Sequence, residues 1–270
     1  HAFSFQQGRV YYSNKFIRSK AFTQVFKEGS FHYEGFAVDP CRSLFQKLIT
    51  FFSAYSPEII QNTNINVAKL ADEYVSFLET PLPVRFDLHT LETLGMFNYD
   101  DKLPHAKCWE SAHPHPLQNY TVSYLVDYGR QSYYVLYKIA QGSSERQVIA
   151  KIPVDEPSYM HSFSVTENFA IFTEYPYVVK PLDFILKNRP FIKNYFWDAT
   201  RGTQFLVINR HTGDVVGRYR TKPFFAFHHI NAFEKDQSII LDVASYDNAD
   251  IIWEIADYSY ETPKKNISLP

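Results

Sequence analysis

Cysteine is nearly missing from this sequence: two residues, Cys41 and Cys108, stand far apart in a chain of 270. With no spacing pattern they cannot staple a small secreted scaffold, and their scarcity fits a reducing, cytosolic setting. A surplus of positive charge is missing too. Lys and Arg number 27 against 29 Asp and Glu, a formal net charge of −2. That balance gives no electrostatic case for nucleic acid, which would want a basic stripe. No apolar run approaches the roughly 20 residues of a membrane-spanning helix, and no signal-peptide pattern is visible. The first residue is His1 rather than methionine, which predicts a piece of a longer protein.

What is abundant is aromatic. The 20 tyrosines and 24 phenylalanines bring the aromatic share to 17%, which favours strands and suits a ring-lined apolar cavity. The length supports one large all-β domain with a sizeable core. Residues 1–38 alternate short aromatic strands with polar turns. After Pro40, Leu44, Phe45, Leu48, Ile49, Phe52 and Tyr55 recur at helical spacing, so 41–55 reads as an amphipathic helix. Beyond Pro57 the two-residue period returns. Strands are expected at 64–70 and 74–78, joined by a hairpin turn at 71–73, and again at 84–86, 122–126, 133–139, 147–152, 205–208, 215–219 and 239–243. A short helix is expected at 181–187. The run from Ser158 to Phe172 reads as an inward-pointing strand with His161 at its head.

The chain repeats itself once. Residues 86–97 align without gaps to 208–219, an offset of 208 − 86 = 122 residues. Both segments read strand, polar turn, strand, with His89-Thr90 and His211-Thr212 in the turns. The offset is about three times the ~40 residues of a four-stranded propeller blade. Short antiparallel strands with such a repeat favour a propeller over a sandwich. His89 and His211 are then turn residues, not metal ligands.

Three further histidines lie at strand ends or turns in aromatic surroundings. His113 sits in the AHPH element of 112–115, His161 in YMHSFSVTEN of 159–168, and His228 in FAFHHINAFE of 225–234. No cysteine set accompanies them, which points to a metal site of imidazoles alone. His228 and His229 are neighbours on a strand and point to opposite faces. His113 and His115, two apart, share a face, and geometry does not separate them.

Together the three elements resemble the carotenoid cleavage oxygenases, and the resemblance runs from about Phe3 to Tyr258. It implies an all-β fold, a seven-bladed β-propeller. Residues 1–270 would be one incomplete domain of about four to five blades, with the helical segment 41–55 on one face. It also implies Fe(2+) on the propeller axis, held by four histidines. Three would be His113, His161 and His228, and the fourth would lie beyond Pro270 in the complete protein. The intervals 161 − 113 = 48 and 228 − 161 = 67 fit one histidine per blade, with an insertion in the second. The resemblance selects His228 over His229, and His113 over His115, which is left an outer-shell or structural role. Glu79 matches a family glutamate that accepts the second N–H of a ligand imidazole, here His161, fixing the ring and raising its basicity. Leu78 stands where animal members carry threonine. Glu167 and Glu234 are expected to be structural.

An all-imidazole set leaves ferrous iron its full double-positive charge, with open positions for dioxygen. The implied activity of the full-length protein is cleavage of a conjugated C=C bond of a carotenoid or apocarotenoid by O2, giving carbonyl products. The 1–270 stretch alone is expected to be inactive. Stilbene cleavage and retinoid isomerohydrolysis are the alternatives within the family, and a non-catalytic propeller scaffold is the alternative outside it. A cytoplasmic protein with peripheral membrane contact is expected, through Leu44, Phe45, Leu48, Ile49, Phe51 and Phe52 beside Arg42 and Lys47. The resemblance supports this contact, because the family's substrates dissolve in membranes.

Overall fold

The computed structural model describes residues 1–29, 62–105, 108–186, 189 and 191–256. The expected 41–55 helix, with Leu44, Phe45, Leu48, Ile49, Phe51 and Phe52, lies outside the described residues. A hairpin of β1 (Ala2–Gln6) and β2 (Arg9–Ser13) comes first, then a helix, Lys20–Glu28. That helix corrects the expectation of strands throughout 1–38. Ala21, Phe22, Val25 and Phe26 make a helical stripe, the Ser19 side chain accepts from the Phe22 N–H, and Gly29 closes the end at φ 67°.

Three antiparallel sheets of blade form follow. The first is the meander β3 (Asn66–Leu70), β4 (Glu73–Leu78), β5 (Thr80–Phe86) and β6 (Thr93–Met96). Its opening hairpin turns through Ala71 and Asp72, both at positive φ, as a tight two-residue loop requires. In the second sheet β7 (Cys108–Glu110) and β8 (His115–Pro116) share one side of β9 (Tyr120–Asp127), followed by β10 (Ser132–Ala140) and β11 (Gln147–Val154). The third begins with β12 (Ser164–Val165) and β13 (Phe169–Glu174). An excursion carrying β14 (Tyr177–Val178) and β15 (Phe196–Trp197) interrupts it before β16 (Thr203–Asn209) and β17 (Val215–Thr221) complete it. A last hairpin, β18 (Phe225–Lys235) and β19 (Ser238–Tyr246), precedes a short helix, Asp250–Ala256. Among the described residues three sheets have four or more strands, and the β1–β2 and β18–β19 hairpins stand beside them.

The middle sheet is buried on both faces. Val122, Tyr124 and Val126 of β9 and Tyr134 and Leu136 of β10 pack with Ala170, Phe172, Leu206 and Ile208 of the third sheet. The alternate residues Leu125, Val135, Tyr137 and Ile139 pack with Leu70, Val75 and Phe77 of the first. The side-chain period of two thus sends successive residues into different cores. That is why 120–127 and 132–140 carry almost unbroken apolar runs. The sheets stack face to face, as blades do.

One sequence expectation is corrected here. The run Ser158 to Phe172 is not one strand. β12 and β13 make a tight hairpin within it, where the Thr166 N–H donates to the Phe169 carbonyl at 2.8 Å. The Glu234 carboxylate, from β18, accepts from Thr166 Oγ1 at 2.6 Å, the Asn168 N–H at 2.8 Å and Asn168 Nδ2 at 2.9 Å. Three hydrogen bonds on one carboxylate hold the turn, so Glu234 serves the fold.

The internal repeat is real at the level of atoms. Asp87 Oδ1 accepts from the His89 and Thr90 N–H groups at 3.0 and 2.7 Å. Asn209 Oδ1 accepts from His211 and Thr212 at 2.9 and 3.1 Å. The equivalent residues Leu91 and Gly213 are both left-handed, at φ 58° and 83°. A Cβ at Gly213 would lie 2.1 Å from the Ile149 carbonyl oxygen, so the second sheet seats directly on this turn. The two hairpins, β5–β6 and β16–β17, lie two sheets apart rather than three. The excursion between β13 and β16 lengthens the unit beyond ~40 residues.

Candidate metal centre

Each of the three histidines lies on the segment that opens a sheet or the last hairpin, and these opening segments lie side by side. His113 sits in the link between β7 and β8. Its N–H donates to Ser111 Oγ at 3.2 Å. His161 precedes β12, and the Tyr124 hydroxyl, fully buried, donates to the carbonyl of the residue before it, Met160. His228 lies on β18, where the register with β19 shifts between Ala226 and His229. Such an irregularity re-aims a side chain that plain pairing would fix.

The structure brings His113, His161 and His228 together, with one ring nitrogen from each within 4.8 Å of the others. His113 Nε2 and His161 Nε2 are 2.9 Å apart. The ring centroids are separated by 4.6 Å (113 to 161), 5.1 Å (113 to 228) and 5.0 Å (161 to 228), all edge to face. Behind His161, its Nδ1 lies 2.6 Å from Glu79 Oε1. Glu79 sits at the β4–β5 turn, 3% exposed, and accepts the Tyr159 hydroxyl at 3.2 and 3.0 Å. Phe227 closes another side, edge-on to His161 at 5.6 Å.

The neighbouring histidines turn away. His229 Nδ1 is 2.7 Å from Ser164 Oγ and its Nε2 is 3.1 Å from the Tyr175 hydroxyl. His115 Nε2 donates to the Phe163 carbonyl at 2.9 Å, tying the second sheet to the third. His89 and His211 are in the exposed turns already described.

Electrostatics differ across the three rings. Burial, helped by His161, His228 and His115, pushes His113 down to about 4, so its ring is neutral at pH 7 and carries a free lone pair. His228 is lowered as well, by burial and by His161. For His161 burial acts in the same direction, but the charge and hydrogen bond of Glu79 outweigh it and raise its pKa. Of the three rings His161 therefore holds a proton most readily. Three converging imidazoles suit a divalent ion that accepts nitrogen. Two nitrogens bound to one ion at right angles would sit about 3 Å apart for metal–nitrogen bonds near 2.1 Å. The 2.9 Å between His113 and His161 fits that spacing.

Sequence reasoning did not find Tyr159 or the serines at 111 and 162. The one available signal was their position, each within two residues of a candidate histidine.

The family model RPE65, retinal pigment epithelial membrane protein, matches residues 1–268. The β,β-carotene 15,15′-dioxygenase of Gallus gallus is 30% identical over 303 aligned residues, covering 100% of this chain and 56% of that protein. The carotenoid isomerooxygenase of Galleria mellonella is 28% identical, covering 98% and 55%. The chain spans about half the length of the curated relatives it matches. Among solved structures, cobalt-substituted Synechocystis ACO superposes with TM-score 0.73 at 22% identity, covering 91% of this chain and 51% of that one. An ACO/RPE65 chimera gives 0.72 at 24%, covering 89% and 50%. These likenesses carry the fold: a propeller-type arrangement of sheets.

Proposed function

This chain belongs to the retinal pigment epithelial membrane protein family, and from that premise we propose that the intact protein is a non-haem Fe(2+) dioxygenase that cleaves a conjugated C=C bond of a carotenoid or apocarotenoid. The observation that carries the reading is the convergence of His113, His161 and His228, with Glu79 behind His161. Carotenoid-acting relatives support the substrate class, and the cobalt form of a structural neighbour supports a divalent metal.

Iron held by these imidazoles supplies the redox chemistry with O2. The chain's own residues prepare the place. Neutral His113 and His228 offer lone pairs without ligand charge. Glu79 accepts the hydrogen bond from the Nδ1–H of His161 and so presents Nε2 toward the other two rings. Tyr159 keeps that carboxylate from turning. Phe227 shields His161 from water on one side. No protein acid or base need touch the substrate, since metal and oxygen carry the reaction.

The test is product analysis on the intact, iron-loaded protein with β-carotene and with an apocarotenal. Two carbonyl fragments should form with O2 and none without it. Oxygen-independent turnover, or intact polyene under air, would overturn the reading.

The reading includes a cytoplasmic protein with reversible membrane contact through 41–55, supported by the sequence stripe of Leu44, Phe45, Leu48, Ile49, Phe51 and Phe52. A polyene entering straight from the bilayer avoids exposure of its apolar surface to water, worth ~25 cal/mol per Å². Replacing Phe45, Leu48 and Phe52 together by Ser should reduce liposome co-sedimentation while iron content stays unchanged. Unchanged sedimentation with loss of folding would make the segment core instead.

A further inference from the structure

The three histidine-bearing segments belong to separate sheets, and no strand ladder joins them. Two buried serines bridge the gaps instead. Ser111, 1% exposed, donates from Oγ to the carbonyl of His161 at 3.2 Å. Ser162, 5% exposed, donates from Oγ to the carbonyl of Phe227 at 2.7 Å and accepts the His229 N–H at 3.0 Å. Each serine thus grips a peptide group that flanks the histidine of the next segment. Ser162 holds both peptide groups around His228, the one before it and the one after it. A hydroxyl that donates and accepts in this way takes the place of a residue in a strand ladder. It fixes where the next histidine stands along and across the axis.

We propose that Ser111 and Ser162 are positioning residues: they set the spacing of His113, His161 and His228, and through that spacing the affinity for a divalent metal. This rests on the metal reading above. Other bonds keep the segments together when a serine hydroxyl is lost. His115 still reaches the Phe163 carbonyl, and His229 still bonds Ser164 and Tyr175. The serines are therefore needed for register at the site more than for the fold.

The experiment titrates the metal-free intact protein with cobalt(II), following the visible ligand-field bands, beside thermal melting of the same metal-free samples. Ser162→Ala should weaken cobalt binding about 10-fold or more and alter the bands, as loss of an outer partner of a metal ligand does. Ser132→Ala is the control. Ser132 is 1% exposed and bonds only within the second sheet, to the Gly129 N–H through its hydroxyl. Its variant should melt lower by a similar amount yet bind cobalt like the wild type. The proposal fails if Ser162→Ala binds within about twofold of wild type, or if Ser132→Ala weakens binding equally. If the wild type itself takes up no cobalt, it is the metal reading that fails. Should Ser162→Ala not fold, Ser111→Ala is read in its place by the same criteria.

Discussion

Arg146→Leu should destabilise the protein by about 3–5 kcal/mol, the range for removing one partner of a buried ion pair. The Arg146 side chain has no exposed surface, against 5% and 2% for its partners Asp101 and Glu110. Its guanidinium forks onto Asp101, Nε to Oδ2 and Nη2 to Oδ1, both at 2.8 Å. Nη1 donates to Glu110 Oε1 at 3.2 Å. The cation lies over the Tyr99 ring at 4.1 Å, and the Tyr137 hydroxyl completes Glu110 at 2.6 Å. The Asp101 loop, strand β7 and the β10–β11 loop meet at this one side chain. Leucine would leave two carboxylates buried without a cation.

That cause predicts a pH signature. Burial already raises the Glu110 pKa against the pull of Arg146, and without Arg146 it rises further. Burial also pushes Asp101 up, but its bonds to Arg146 hold it below the usual value, so it rises when they are lost. A group whose folded pKa exceeds its unfolded value stabilises the fold as pH falls through the folded value. Arg146→Leu should therefore regain stability as pH falls from neutral toward the ordinary carboxylate range, and the triple variant with Asp101→Asn and Glu110→Gln should regain it at neutral pH. Urea midpoints measured across pH decide. A loss under about 1 kcal/mol, or one indifferent to pH, would mean that the cluster contributes packing alone.

His161→Ala should lower iron affinity by more than about 100-fold, beyond the 10–100-fold typical of an outer partner. Of the three rings, only His161 combines a 2.9 Å approach to a second imidazole with a carboxylate behind it. Glu79→Gln should cost about 10-fold, because Tyr159 and the amide oxygen still hold the ring's Nδ1–H. His89→Ala and His211→Ala should bind like the wild type, since their rings stand in exposed turns far from the cluster in the topology. Equilibrium dialysis of the intact variants against iron under argon gives these affinities directly.

The parts legible in the sequence share one property: they are local. The hairpin at 71–72, the Asp87 and Asn209 turns and the strands of the middle sheet follow from neighbouring residues. The three histidines stood out because each sits in a distinctive run. The offset of 122 misleads because it assumes uniform blades; the β13–β16 excursion is the insertion that the longer histidine interval, 67 against 48, announces without placing. The Ser158 to Phe172 run reads as one strand because the carboxylate that holds its turn, Glu234, lies 66 residues beyond Asn168. The Arg146 cluster gathers Tyr99, Asp101, Glu110 and Tyr137, whose spacing has no pattern because they meet across loops and strands of different units. His113 and His115 could not be told apart on an extended chain. In the structure Nε2 of the first meets His161, and Nε2 of the second meets the Phe163 carbonyl.

X-ray absorption at the iron edge, on the intact protein loaded with Fe(2+), tests the central claim most directly. The predicted result is a shell of light scatterers with the outer-ring scattering of at least three imidazoles, reduced by one ring in any protein that retains iron after His228→Ala. Iron surrounded by carboxylate oxygens with at most one imidazole, or a wild-type protein that retains no iron, would contradict it.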